Sequence, residues 1–427
     1  MKKFSALVLV LLMSMSLAVY AQEPVELRIA WYSDGNEGEV LRDLLDRFEA
    51  DNADIRVVID NVTYAEGIQQ QLPLQVQAGE APDMARITDY APYRGFYLDL
   101  RPLVADPAYW DASFNESVFQ AMRTAEETDQ IYGFPNQFTV TGPYINRTLF
   151  EQAGVEVPSD TSDAVTWAEW TAAAQAVAAA TETPYAIAID RSGHRFAGPA
   201  FSQGATFFNE DGSVTMDTEG FREMAEVFIG WHTDGITPAD VWLGAGDSYA
   251  PAAPYFINGQ LVMYMSGSWQ IANFNTNIAD AFDWEAVPNP TGDGGSTGMP
   301  GGTVVVAFAQ TEHPAEVARV MDYLASVEVL KEFSERTLFI PGHLGLGELD
   351  YQTDSPAAKA ALTTFAAEAL KLSDQAYELQ FGGSAFAINN PIRDRLTQVL
   401  AGELTLDEAI ERIQSDVDTA LATAAAS

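Results

Sequence analysis

Two α/β lobes are the architecture that the sequence predicts, and three observations carry it. Strands and helices alternate along the first part of the chain at a spacing suited to parallel strands with crossover helices. The alternation resumes after the segment YGFP on a different set of residues. At 427 residues the chain is also long enough for more than one core.

In order, the first strand is Val25–Tyr32, where Leu27, Ile29 and Trp31 alternate with polar or small residues. A polar loop, Ser33–Gly38, leads into a helix over Glu39–Ala50 with Val40, Leu41, Leu44, Leu45 and Phe48 on one face. A strand at Ile55–Ile59, a helix over Glu66–Ala78 and a short strand at Met84–Ile87 complete the opening unit. Ligands in such sheets sit outside the carboxyl ends of the strands. That places Ser33, Asp34 and Asn36 on the same edge as Thr88, Asp89 and Tyr90, although turns favour these residue types in any case.

The second half begins with an extended run from Asn136 that passes into a helix at Arg147 or Thr148. Thr166 and Glu169 have capping-box spacing and start a helix over Trp167–Ala180. Tyr185–Ile189 is a strand, Phe207–Asp217 a hairpin turning at Asp211-Gly212, and Asp217 is placed to cap the next helix. Gly259–Met265 is a buried strand that delivers GSWQIANF. The Gly/Pro-rich stretch Val287–Gly302 is either a flexible linker or a crossing between lobes. A strand at Thr303–Ala309 and helices over Ala315–Ala325, Val327–Glu335, Ile392–Ala401 and Thr405–Ala420 follow.

Composition narrows the partners. The chain starts MKKFSALVLVLLMSMSLAVYA: Lys2 and Lys3, an apolar run from Ala6 to Leu17, then Val19-Tyr20-Ala21. This is the pattern of a secretory leader, residues 1–21, cut before Gln22. Cysteine is absent, which excludes disulfides, thiol chemistry and a lipid-attachment site. The expectation is a free periplasmic protein, and a monomer. With 61 acidic against 22 basic residues, the net charge of −39 makes nucleic acid and anionic membrane poor partners. The acid is spread along helices and reads as solvation, suited to a saline habitat; a cationic ligand is the alternative.

The stretches LRIAWYSDGNEGEVLRDLLDRFEADNADIRVVI, LPLQVQAGEAPDMARI, YGFPNQFTVTGPYINRTLFEQAGVEVP, TWAEWTAAAQAVA, GQLVMYMSGSWQIANF, GMPGGTVVVAFAQTEHPAEVARVMDYLAS and LAGELTLDEAIERIQ occur in that order. Together they resemble the family 1 extracellular solute-binding proteins of ABC importers, of the maltose/oligosaccharide-binding type. The resemblance implies a two-lobed periplasmic binding protein fold, type II-like, each lobe a mainly parallel sheet flanked by helices and joined by hinge crossings. It divides the chain into 22–136 and 301–337 for one lobe, 137–300 and 338–427 for the other. It implies capture of a neutral sugar or oligosaccharide by hinge closure and delivery to membrane permease subunits, with no cofactor and no catalysis.

It also implies the ligand residues. They are Trp31, Ser33 and Asn36 after the first strand, Asp89 and Tyr90 after the third, then Asn136, Gln137 and Thr139 after YGFP. Trp269 follows Gly-Ser, Gly301 and Gly302 lie in a crossing, and Asn389 and Arg393 stand near the end. Relatives have an aromatic where Asn389 stands, which puts the size of the sugar platform in question. The chemistry agrees with a sugar. Pyranose rings lay polarised C–H faces on flat aromatic rings, while their hydroxyls need hydrogen-bonding partners around the rim. Trp31, Tyr90 and Trp269 would be the faces and Asp89, Asn136, Gln137 and Arg393 the rim, with the glycine beside Trp269 letting the ligand approach. A buried core role is the competing account of Trp269. Trp110, Trp167, Trp170 and Trp284 read as packing residues, and Trp231 or Trp242 is a candidate second platform.

Other readings have less behind them. A secreted glycoside hydrolase needs two carboxylates about 5 to 10 Å apart across a cleft, and no Glu occupies a conspicuous strand end. The four histidines, His194, His232, His313 and His343, lack metalloprotease spacing and read as surface or hydrogen-bonding residues. Gly244–Ala250 imitates a nucleotide fingerprint, but it follows no strand of a βαβ unit and carries Asp247 where a phosphate would sit. Arg191, His194 and Arg195 cluster closely enough to grip an anion such as a polyol phosphate; pairing with the abundant surface acid is the simpler account. A polyamine or metal ligand completes the alternatives.

Overall fold

The computed structural model describes residues 23–244, 249–382 and 385–426. The leader and Asp247 lie outside the described residues. One continuous sheet runs through the molecule, built from β1 (Val25–Trp31), β2 (Ile55–Asn61), β3 (Met84–Ile87), β4 (Gly133–Asn146), β5 (Tyr185–Ile189), β6 (Leu261–Gly267) and β7 (Trp284–Ala286). A small hairpin of β8 (Thr291–Gly292) and β9 (Gly295–Ser296) precedes the last strand, β10 (Pro300–Ala307). The order is β2-β1-β3-β10-β4-β6-β5, with β7 also on β4.

The sheet changes partners midway along β4. Its first half, Gly133–Val140, pairs antiparallel with β10, which in turn pairs with β3. Its second half, from Thr141, pairs with β6 and β7. β1 with β2 and β3, and β5 with β6, are the parallel pairs. Two separate cores follow. One gathers Leu27, Ile29, Leu44, Phe134, Val305 and Phe333; the other gathers Tyr144, Ile187, Phe196, Phe256, Met263 and Phe365. The two lobes are therefore joined by β4, by β10 and by a third crossing, where Phe138 donates its amide to Ile340 and adjacent residues Leu338 and Phe339 belong to different cores. The Gly/Pro-rich stretch ends in the β10 crossing rather than in a free linker.

Local chemistry accounts for most elements. Glu37–Asp51 is the first helix, burying Val40, Leu41, Leu44, Leu45 and Phe48 as their spacing requires. Thr166 and Glu169 form the full capping box that starts the helix Trp167–Thr181. Three details differ from expectation. The helix expected over 66–78 begins as a π-helical turn, Tyr64–Gln71, and becomes α-helical only at Leu72–Ala78, with Pro73 in its first turn; proline has no amide hydrogen and is accommodated best at such a helix start. Asp217 does not cap the helix Glu219–Thr233; its carboxylate binds Arg222 instead, and Thr218 takes the cap position. The helix expected from Ile392 begins at Ala385 and carries Pro391 within it. Among the described residues no helix is long and apolar enough to cross a membrane.

Candidate functional site

A cleft of about 480 Å³ opens between the lobes, within the roughly 300–1,000 Å³ usual for small-ligand sites. The first lobe contributes the ends of β1 and β3 and the π-helical turn: Tyr32, Ser33, Asp34, Tyr64, Thr88, Asp89 and Tyr90. The second contributes the start of the helix Gly193–Ser202, the β6 end with Trp269, Tyr249, and Asn389 and Arg393 from the helix Ala385–Leu400. Gln137, Thr139, Gly301, Gly302 and Thr303 form the floor from β4 and β10. Among the described residues the walls touch at the two positions that follow. The rings of Tyr64 and Tyr249 stand 5.6 Å apart and nearly perpendicular, and Gly35 lies against Ala272.

Of the residues expected at the site, Ser33, Asp89, Tyr90, Gln137, Thr139, Trp269, Gly301, Gly302, Asn389 and Arg393 line this cleft. Three do not. Trp31 is buried in the first core with its ring edge-on to Phe333 at 6.2 Å. It follows Leu27 and Ile29 on one face of β1, and a strand alternates, so its face is the core face and Tyr32 is the aromatic turned to the ligand side. Asn136 fails for a different reason: the β4–β10 ladder skips it, passing from Gln137–Thr303 to Pro135–Val304, and its side chain accepts from Thr303 and lines a small core cavity beside Trp31. Asn36 sits at the helix start and donates its amide to the Arg336 carbonyl. Trp231 and Trp242 are no platforms either; both are buried, donating to Thr171 and to the Ile189 carbonyl.

Trp269 is held by two neighbours. A side chain at Gly267 would overlap the indole ring, so glycine there accommodates the ring itself, not an approaching ligand. On the Trp269 ring lies the guanidinium of Arg195, its carbon 4.0 Å from the ring centroid, a cation–π stack. Arg195 donates to His194 Nδ1 at 2.6 Å. Since that nitrogen accepts, Nε2 carries the hydrogen and donates to the Pro300 carbonyl at 3.0 Å. Burial, the positive charge of Arg195 adding to it, pushes His194 down to about 3, so it is a neutral fixture. Sequence reasoning set this cluster aside as surface pairing. Tyr64 and Tyr249 were also missed, since a π turn and a loop carry no periodic signal, and Tyr32 was missed although alternation along β1 sets it opposite Trp31.

Beneath the floor lies a buried polar network. Arg86, wholly enclosed, donates to the Tyr32 carbonyl and Gln137 Oε1 at 2.7 and 2.8 Å, and pairs with Glu37 at 3.4 Å and Asp34 at 3.6 Å. Glu37 in turn accepts from the amides of Asp34 and Gly35. The network fixes the loop after β1 and leaves Gln137 only its amide nitrogen for a ligand. Burial, with Glu37 adding to it, raises Asp34 to about 7. Burial raises Asp89 to about 8 against the amides of Ala91 and Tyr90, and its Oδ2 is buried with no partner.

With the geometry in hand, likeness to known proteins is decisive. The sequence model of bacterial extracellular solute-binding proteins matches residues 32–331. The chain belongs to that family. The arabinooligosaccharide-binding protein of Halalkalibacterium halodurans is 23% identical over 326 residues, covering 74% of this chain and 70% of that one. Among solved structures, the substrate-binding protein Lmo0181 of Listeria monocytogenes in complex with cycloalternan superposes with a TM-score of 0.74 at 19% identity, over 93% of this chain and 99% of its own. An ABC transporter solute-binding protein of Thermotoga lettingae bound with α-D-tagatose gives 0.75 at 16% identity, over 93% and 99%. The fold is therefore the two-lobed periplasmic binding protein fold. Members of this solute-binding family bind rather than transform their ligands.

Proposed function

We propose that this protein captures a sugar or oligosaccharide between its lobes and delivers it to the permease of an ABC importer. One observation carries the reading: a tryptophan, several tyrosines and a border of unmet hydrogen-bonding groups converge on a single cleft shared by both lobes. Flat rings and polar borders are what a pyranose requires. The names of the arabinooligosaccharide-binding relative and of the cycloalternan- and tagatose-bound neighbours support the same ligand class.

On this reading residues 22–136 and 301–337 move as one lobe against 137–300 and 338–427, about the three crossings. Ligand touching both walls favours the closed form, which the permease recognises. The leader 1–21 is removed on export, and the monomer works in the periplasm without cofactor or catalysis. The ligand residues are Ser33, Asp89, Tyr90, Gln137, Thr139, Trp269, Gly301, Gly302, Asn389 and Arg393, joined by Tyr32, Tyr64, Arg195 and Tyr249. Calorimetry against saccharides, polyamines, polyol phosphates and divalent or ferric ions tests it. Heat of binding with a saccharide is expected; binding confined to a polyamine or metal, or hydrolysis of a glycan, contradicts it.

A further inference from the structure

The two walls of the cleft differ in charge, in a chain whose overall balance is strongly acidic. The first lobe presents Asp34 and Asp89. The second presents the guanidinium groups of Arg195 and Arg393, with Arg191 beside them, and among the described residues the carboxylates within ion-pair distance of them are Asp190 and Asp394. Both carboxylates are already engaged. Asp190 accepts from the hydroxyls of Tyr249, Tyr264 and Ser266 and from the Ala252 amide, and it stays 3.8 Å from Arg195 Nε. Asp394 accepts from Arg393 Nε at 2.7 Å.

Donors remain after this pairing. Arg195 Nε is buried without a hydrogen-bond partner, and Arg195 is pinned in place by its stack on Trp269 and its bond to His194. Arg393, which lines the cleft, is hydrogen-bonded through Nε to Asp394, and its two terminal nitrogens make no hydrogen bond among the described residues. A guanidinium that keeps its planar fork free is shaped for a carboxylate, which it can grip with two parallel bonds. Arg195 also covers a face of Trp269 that a neutral pyranose would otherwise use for stacking.

We infer that the saccharide carries a carboxylate, as a uronic acid unit does, and that Arg195 and Arg393 recognise it on the second-lobe wall while its ring hydroxyls meet Asp89 and Gln137. This rests on the saccharide reading above and replaces the expectation of a neutral ligand. Arg195 and Arg393 are then the specificity-determining residues. Arg191 also lines the cleft, its Nε bound to the Trp242 carbonyl.

The test measures, by calorimetry on the full mature chain, disaccharides containing glucuronate, galacturonate or mannuronate beside neutral disaccharides of the same linkage, with hexose 6-phosphates as a further arm. At least one uronate disaccharide should bind about tenfold or more tighter than its neutral counterpart. In Arg393→Gln and in Arg195→Gln that ratio should fall toward one, a change that a merely structural loss, weakening both ligands alike, would not produce. A neutral disaccharide bound as tightly as the acidic one overturns the inference and leaves the saccharide reading standing. A preference for the hexose phosphates, or a ratio unchanged in both variants, overturns it as well. Failure of every saccharide to bind removes both.

Discussion

The indole ring of Trp269 occupies the space where a side chain on Gly267 would lie. The Gly-Ser-Trp order at the end of β6 is thereby explained: glycine lets the ring fold back over the strand end, and Arg195 stacks on it at 4.0 Å. Gly267→Ala should displace the ring. Inserting a methyl into such a contact costs about 1–3 kcal/mol of stability, and ligand affinity should fall about tenfold or more. Denaturant titration and calorimetry on the same preparation check both; unchanged affinity contradicts the arrangement.

Trp269→Ala separates the anchor from the fold. Binding should weaken by about 1–3 kcal/mol, because Arg195 loses the ring that holds it against the cleft, while the melting transition keeps its cooperativity. Retained affinity would return Trp269 to a packing role.

That tryptophan was legible from sequence because it follows a completed apolar strand. Trp31 was misjudged although the needed signal was present: Leu27, Ile29 and Trp31 share one face of β1, and the first two are core residues. Asn136 gave no such signal: the β4–β10 pairing skips it, passing from Gln137–Thr303 to Pro135–Val304, an irregularity that only the folded sheet reveals. The order of strands and helices was readable because apolar spacing is local. Arg195, Tyr64 and Tyr249 were not, since their role depends on which distant segments the hinge brings together. The Arg86–Glu37 pair was hidden for the same reason, with a strand interior and a helix start meeting only in the folded chain.

Asp89 makes a pH prediction. Its ordinary value is near 3.8, and burial in the fold raises it to about 8. Between those values the folded form keeps a proton that the unfolded chain has released. Stability therefore falls as pH rises from about 4 to 8 and levels off above. Asp89→Asn has no such proton. Between pH ~5 and ~8.5 the native protein should lose about 1–3 kcal/mol relative to the variant, read by urea denaturation at each pH. Parallel curves would show that Asp89 is solvated as an ordinary carboxylate.

Arg86 and Glu37 form a buried pair at 3.4 Å, both wholly enclosed. Removing one partner strands the other's charge. Arg86→Met should cost about 3–5 kcal/mol, and adding Glu37→Gln should restore part of it, because the side chain is then uncharged and its one oxygen still accepts from either the Asp34 or the Gly35 amide. A double variant as unstable as the sum of the two singles contradicts coupling through this network.

Closure has its own readout. The lobes share three crossings and meet at Tyr64 and Tyr249, 5.6 Å apart. Small-angle scattering of the ligand-stripped protein should show a larger radius of gyration than at saturating ligand. Equal radii would mean that binding does not draw the lobes together.

The claim beneath all of these is that a saccharide is what the cleft between the lobes holds. Mass spectrometry of the small molecules released on denaturing freshly purified protein addresses it most directly. A sugar or oligosaccharide mass, lost from a Trp269→Ala preparation, is the result expected. A polyamine, a metal or a peptide released in its place would contradict the account.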